Sequence, residues 1–361
     1  MTGRERLTAL LRGQPTDRLS WTVLVDDHTL GALPDDRRGM TGIEFSRHLG
    51  CDIVQLEGWG TPHQCVSPTL EWGEGVTVTG RTEGERFIQQ IRCPAGVLES
   101  VTQRGHPRKF LVDTLAELRI YRSLWEGARF VAHDDRPAFA ALEALVGEDG
   151  IVTRFLAPST IPRLLENDFG MLAFYYLLHD HPQEMAELIA LMHQRELEAF
   201  RIAASGPGEV LILCENTSTT YISPGIYRRF NGPHVRDFVD IVHAEGKMAI
   251  IHMCGHIKGL LPQIEDTSLD GIHALTPPPT GDTPWELALD ALGEDTVIMG
   301  VLDPTIFILG PVEGIGEALD RLYTPRLREA RFVLWPPADG LTVPLERFES
   351  VAEWMARNGS R

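Results

Sequence analysis

Along this chain, short runs of branched apolar residues alternate with longer stretches in which apolar side chains return every three or four positions. The runs predict strands over residues 19–25, 52–56, 151–156, 209–214, 248–253, 271–274, 296–300 and 332–335. Near-continuous hydrophobicity in so short a run is what a parallel-sheet strand, covered on both faces, requires. The intervening periodicity predicts helices over 41–49, 114–124, 136–146, 184–204, 224–245 and 313–323, and a last one over 343–357. Strand and crossover helix, repeated eight times, close most economically into a (β/α)8 TIM barrel. Two stretches stand outside the repeat. Residues 4–11 predict a short helix, ended by Gly13 and Pro15, that caps one end of the barrel. Residues 72–104 switch to a two-residue alternation with glycines at the turns, which predicts a β-hairpin insertion in a βα-loop. No repeat or linker divides the chain, so residues 1–361 are read as a single domain.

In such a barrel the chemistry gathers at the carboxyl ends of the strands. The fifth run ends in His252, Met253, Cys254 and Gly255. Side chains alternate along a strand, so His252 and Cys254 share a face, and an imidazole beside a thiolate suits zinc. Taken alone, a cysteine at a strand end is more often core filling than ligand. The fourth run ends in Cys214, Glu215 and Asn216. Neighbouring strands lie about 4.8 Å apart, which puts Glu215 within reach of a metal held by His252 and Cys254. Glu215 is therefore predicted as a ligand or as a general acid or base. Asp303, after the seventh run, is predicted to orient substrate or complete coordination, and Asp339, after the eighth, to be a metal ligand. Asp27, Glu57, Asn216, Tyr221 and Thr276 follow other strand ends and are predicted to touch substrate. His256 is assigned to the start of the next helix. His63 and Cys65 repeat the His-x-Cys spacing in a Pro- and Gly-punctuated loop, where the spacing is read as coincidence.

Composition narrows the partners. A net charge of −18 opposes binding to a phosphate backbone, so a small molecule or another protein is expected, not nucleic acid. The five cysteines are odd in number and widely spaced, which is no disulfide framework and predicts a reducing, cytoplasmic compartment. No apolar run is long enough to span a membrane, and the amino terminus has no signal-peptide core.

Four segments, in order along the chain, carry a family resemblance: residues 4–18, residues 222–230, the His252 to Gly255 strand end, and residues 342–348. Together they resemble the uroporphyrinogen decarboxylase superfamily, and the His-x-Cys strand end resembles its zinc-binding branch, the cobamide- or corrinoid-dependent methyltransferases. The decarboxylases carry an arginine-rich segment after the first strand to hold a polycarboxylate. Here that stretch is Val25-Asp-Asp-His-Thr-Leu30, which is acidic and would repel a porphyrinogen. The zinc methyltransferases supply a second cysteine near the final strand, and no cysteine follows Cys254, which leaves Asp339 as the strong ligand in that stretch. The resemblance implies zinc held by His252, Cys254, Glu215 and Asp339, with a methyl group moved between a small methylated or methoxylated compound, or a thiol, and a corrinoid (cobalamin) carried on a partner protein. A carboxylate ligand in place of a cysteine makes the zinc more electrophilic, which favours a methoxylated or methylated donor. Two alternatives stay open: a decarboxylase or lyase acting on a small organic acid, with Asp27 and Arg154 among its groups, and a non-catalytic barrel that binds a tetrapyrrole or corrinoid. A homodimer is compatible with each.

Overall fold

The computed structural model describes residues 1–338 and 340–361. Eight parallel strands form one sheet: β1 (Ser20–Trp21), β2 (Ile53–Leu56), β3 (Gly150–Leu156), β4 (Val210–Cys214), β5 (Met248–His252), β6 (Gly271–Leu275), β7 (Val297–Val301) and β8 (Phe332–Trp335). Their order is β1-β8-β7-β6-β5-β4-β3-β2. The sheet curls until its two ends meet, where the Asp52 N–H donates to the Trp21 carbonyl at 2.9 Å and the Val54 N–H donates to Thr22 Oγ1 at 3.1 Å. The result is a TIM-barrel-like α/β fold. Strand β1 is shorter than its apolar run: the Thr22 N–H still donates to the Leu334 carbonyl at 2.9 Å, and residues 23–25 then leave the ladder.

Alternation along the strands sorts the apolar residues into two cores. Val210, Ile212, Met248, Ile250, Val297, Met299, Val333 and Trp335 point inward and pack together. Leu211, Leu213, Ala249, Ile251, Ile272, Ile298 and Leu334 point outward under the helices. The helix Gly3–Leu11 sends Leu7, Leu10 and Leu11 into the inner core and closes the amino-terminal end of the barrel. Arg6 locks it there through Asp17 and the buried Asp52. The carboxyl-terminal end of the barrel is not closed by this helix.

Between β2 and β3 lies a four-stranded antiparallel sheet, Thr77–Glu83, Arg86–Cys93, Gly96–Gln103 and His106–Lys109. Ile88, Ile91 and Leu98 are its buried side chains. The periodicity over residues 224–245 resolves into a short helix Pro224–Ile226, a π-helical turn Tyr227–Asn231 and the helix Gly232–Ala244. A second π-helical turn, Leu164–Asp168, follows β3. No helix among the described residues is long and apolar enough to cross a membrane.

Candidate active site at the carboxyl end of the barrel

The inward rows continue upward into polar side chains. Cys214 and His252 are in-register partners of β4 and β5, and His252 is the in-register partner of His273 on β6, so all three share the inner face. The His252 ring meets Phe155 edge-on at 5.7 Å, and the His273 ring lies 4.2 Å from that of Trp335. The two imidazoles are joined Nδ1 to Nδ1 at 2.7 Å. Burial pulls the His252 pKa down to about 4, and burial with the neighbouring His252 holds His273 well below the usual histidine range. Both rings are neutral at pH 7, so one Nδ1 donates and the other accepts.

Directly above, Cys254 donates its thiol to Asn216 Oδ1 at 3.0 Å, and Asn216 Nδ2 donates to Glu166 Oε1 at 2.6 Å. Glu166 belongs to the π-helical turn after β3, so that turn fixes the amide above the thiol. Asn216 itself has φ 44°, a left-handed conformation that asparagine tolerates better than most residues. Its carbonyl accepts from the Tyr221 hydroxyl. Gly255, at φ 123°, lets the chain turn at once after Cys254, where a Cβ would stand 3.2 Å from Ser218 Oγ. Cys214 feels the charges of Glu166, Glu215 and Cys254, but it is chiefly burial that pushes its thiol up to about 12.

The other predicted residues are placed differently. Glu215 is fully buried and accepts from Ser159 Oγ, from Thr217 Oγ1 at 3.0 Å and from Asn231 Nδ2 at 2.6 Å, the last at the foot of the Gly232–Ala244 helix. Burial raises its pKa to about 7 despite these donors. His252, Cys254 and Glu215 are not a trio whose ligand atoms lie within 4.8 Å of one another. Asp303 is a helix cap that accepts from the Thr305 N–H at 2.8 Å and the Thr280 N–H at 3.0 Å. Burial would raise its pKa, but those bonds prevail and hold it low. Thr276 donates to the Ala274 carbonyl at 3.0 Å. Asp27 is exposed in the first turn of a four-residue helix, while Glu57 is paired with the buried Arg154 and raised to about 7 by burial. Arg154 also pairs with Asp135 at 3.4 Å, so it is a buried structural cation. His256 sits in a loop, its N–H donating to Ser218 Oγ, because the next helical turn starts only at Lys258. Asp339 lies outside the described residues.

A second cluster, absent from the sequence reading, lies in the helix layer. His193, Glu196 and His234 form the one His/Cys/Asp/Glu trio among the described residues whose ligand atoms lie within 4.8 Å of one another, a candidate metal site. His193 Nδ1, Glu196 Oε2 and His234 Nδ1 are buried without a hydrogen-bond partner. The two rings are stacked at 3.6 Å with planes 2° apart. Ring-nitrogen lone pairs lie in the ring plane, so one ion cannot be in line with both until a ring turns. A proton suits the arrangement as it stands. His193 Nε2 is 2.7 Å from Asp237 and its Nδ1 3.5 Å from Glu196; burial opposes a charge there, but the carboxylates outweigh it and raise the pKa. Burial and the His193 charge bring His234 down to about 3. The His-x-x-Glu spacing at 193 and 196 was the sequence signal for this cluster.

A profile of the uroporphyrinogen decarboxylase (URO-D) family matches residues 155–348, more than half of the chain. Among solved structures, a methyltransferase from Methanosarcina mazei superimposes with a TM-score of 0.59 at 15% identity, covering 99% of each chain, which speaks for the fold. A structure of the pneumococcal virulence factor StrH, described for N-glycan recognition and hydrolysis, aligns at a TM-score of 0.42 and 9% identity over 97% of this chain and 84% of that one, a likeness too slight to carry an argument. No curated protein matches in sequence.

Proposed function

Because the chain belongs to the uroporphyrinogen decarboxylase family, we propose that it is one of its enzymes, a zinc-dependent methyltransferase that exchanges a methyl group between a small methyl donor or thiol acceptor and a corrinoid carried on a separate protein. The observation that carries this reading is the face of imidazole and sulfur at the open end of the barrel: His252 with Cys214 beside it in register, and Cys254 above. Nitrogen and sulfur donors suit zinc better than magnesium or calcium. His252 spends Nδ1 on His273 and keeps Nε2 for a ligand role, Cys254 gives a first sulfur, and Cys214 offers the second that no later cysteine supplies; their ligand atoms do not all lie within 4.8 Å of one another, so binding an ion would have to draw them together. Asp339 is kept as a further proposed ligand. Zinc held there would act as a Lewis acid, keeping a thiol substrate as thiolate or polarising the oxygen of a methyl ether.

The chain's own groups do the positioning. In the metal-free protein Asn216, anchored by Glu166, accepts a hydrogen bond from the Cys254 thiol and so positions the sulfur; as a zinc ligand Cys254 would give up that proton and the bond with it. Glu215 sits behind the face as a carboxyl able to hold a proton near neutrality. Asn216 and Tyr221 border the mouth and are proposed to meet substrate, whereas Asp303 and Thr276 shape the loops on which it rests.

Decarboxylation of an organic acid is less well served. Arg154 is spent on Glu57 and Asp135, and Arg163, after β3, is spent on Asp168 at 3.1 Å. The test is metal analysis of purified protein together with methyl transfer from methylcobalamin to a panel of thiols, and from methoxylated aromatics to reduced cobalamin. About one zinc per chain, lost in His252→Ala and Cys254→Ala, with transfer in either assay, is expected. Folded protein that stays metal-free in added zinc and transfers no methyl group would overturn the reading.

A further inference from the structure

A ring nitrogen that binds a metal must be bare, and in a neutral imidazole only one nitrogen is bare at a time. The 2.7 Å contact between His252 Nδ1 and His273 Nδ1 therefore forces a choice. Were His273 the donor, His252 would carry its proton on Nε2, turned away from His273, and could not ligate there. Were His252 the donor, its Nε2 would be bare. His273 is buried, in register with His252, and flanked by the Phe155 ring and by the Trp335 indole, whose Nε1 is itself buried without a partner.

We propose that His273 is a positioning residue whose Nδ1 accepts the His252 Nδ1 proton and so holds His252 in the tautomer with a bare Nε2 at the mouth. The hydrogen bond does two jobs. It selects the proton position, and it fixes the ring angle through a strand that does not itself touch the ligand. Partners of this kind change metal affinity by about 10- to 100-fold when removed. Both the choice of this tautomer and its role rest on the zinc reading above, since the 2.7 Å contact fits either direction; the proton position is read independently of metal.

Nitrogen-15 NMR of histidine-labelled, metal-free protein reads the proton position directly, with His252→Gln assigning the signal. A protonated Nδ1 and bare Nε2 on His252 are expected; a protonated Nε2 would overturn the proposal whether or not the protein binds metal. Cobalt(II) is then titrated, followed by its thiolate absorption band. His273→Phe, which keeps a ring but offers no acceptor, should weaken binding about 10- to 100-fold, and His273→Asn, whose carbonyl can accept from Nδ1, should recover most of the loss. Equal affinity in wild type and His273→Phe would also overturn it. If wild type binds no cobalt, the zinc reading fails while the NMR result still stands. Should His273→Phe not fold, the wild-type tautomer and the His273→Asn titration decide.

Discussion

Among the described residues two pairs of histidines touch, and burial acts on all four rings alike. On the inner face of the barrel, His252 and His273 meet edge to edge through Nδ1, with the Phe155 ring and the Trp335 indole beyond them. In the helix layer, His193 and His234 lie face to face, with Glu196 and Asp237 at the rim of one ring. The first pair is kept neutral; in the second, His193 is raised and His234 is pushed down to about 3. Two carboxylates account for the contrast. On the proposed zinc reading, the pair that would present a bare nitrogen to a cation has no carboxylate against it, whereas the pair that carries a proton is placed against two.

The sharpest way to break that contrast is to remove the inner donors. His252→Ala and Cys254→Ala should abolish bound zinc in elemental analysis, whereas His193→Leu and His234→Leu should leave it in place; zinc lost from the second set and retained in the first would reverse the roles assigned to the two pairs.

Acid titration comes next in size. His252 and His234 have folded pKa values of about 4 and about 3, below the 6.5 of the free side chain. Their contribution to stability is therefore complete above pH 6.5 and is lost as pH falls towards those values. The slope is about 1.4 kcal/mol per pH unit for each ring. His193 has the opposite sign: its contribution is complete below pH 6.5 and fades as pH rises through its raised value. Urea unfolding at successive pH values should show a steep acid limb in wild type, and Glu196→Gln should lose stability most on the acid side of pH 6.5.

Smaller effects are expected at Glu215. Glu215→Ala strands the buried Asn231 amide and should cost about 3 kcal/mol, against about 1 for Glu215→Gln. Because its folded pKa of about 7 stands above the 4.5 of a free glutamate, wild type loses stability between those values as pH rises. The deficit of Glu215→Gln should shrink over the same range, which denaturant midpoints at pH 5 and pH 8 would measure. The smallest is Asp303→Ala, about 1 kcal/mol from a lost helix cap, with zinc content unchanged.

The strands were legible because a parallel sheet buries both faces and writes itself as apolar runs, and the capping helix was legible from Gly13 and Pro15. His252 and Cys254 were legible by alternation. Strand spacing suggested that Glu215 could reach them, yet the same alternation, carried across the register that pairs Cys214 with His252, puts Cys214 on the inner face and leaves Glu215 to Asn231 and Ser159. His273 hid inside an apolar run, where only the pairing of β5 with β6 reveals it. Glu166 could not be foreseen, since a π-helical turn reads in sequence as ordinary helix.

The other such turn, Tyr227–Asn231, has an engineering consequence. It is one residue wider than an α-helical turn, and it ends on the amide that holds Glu215. Deleting a single residue there to regularise the helix would swing everything on one side of the cut by about 100°. Either Asn231 would leave the carboxyl or the apolar stripe of Val235, Phe238 and Val242 would leave the sheet. Insertions and deletions should therefore be tolerated in the loops around this helix far better than within it, and a library that varies its length would find the extra residue indispensable for keeping Asn231 on Glu215 and the apolar stripe on the sheet at once.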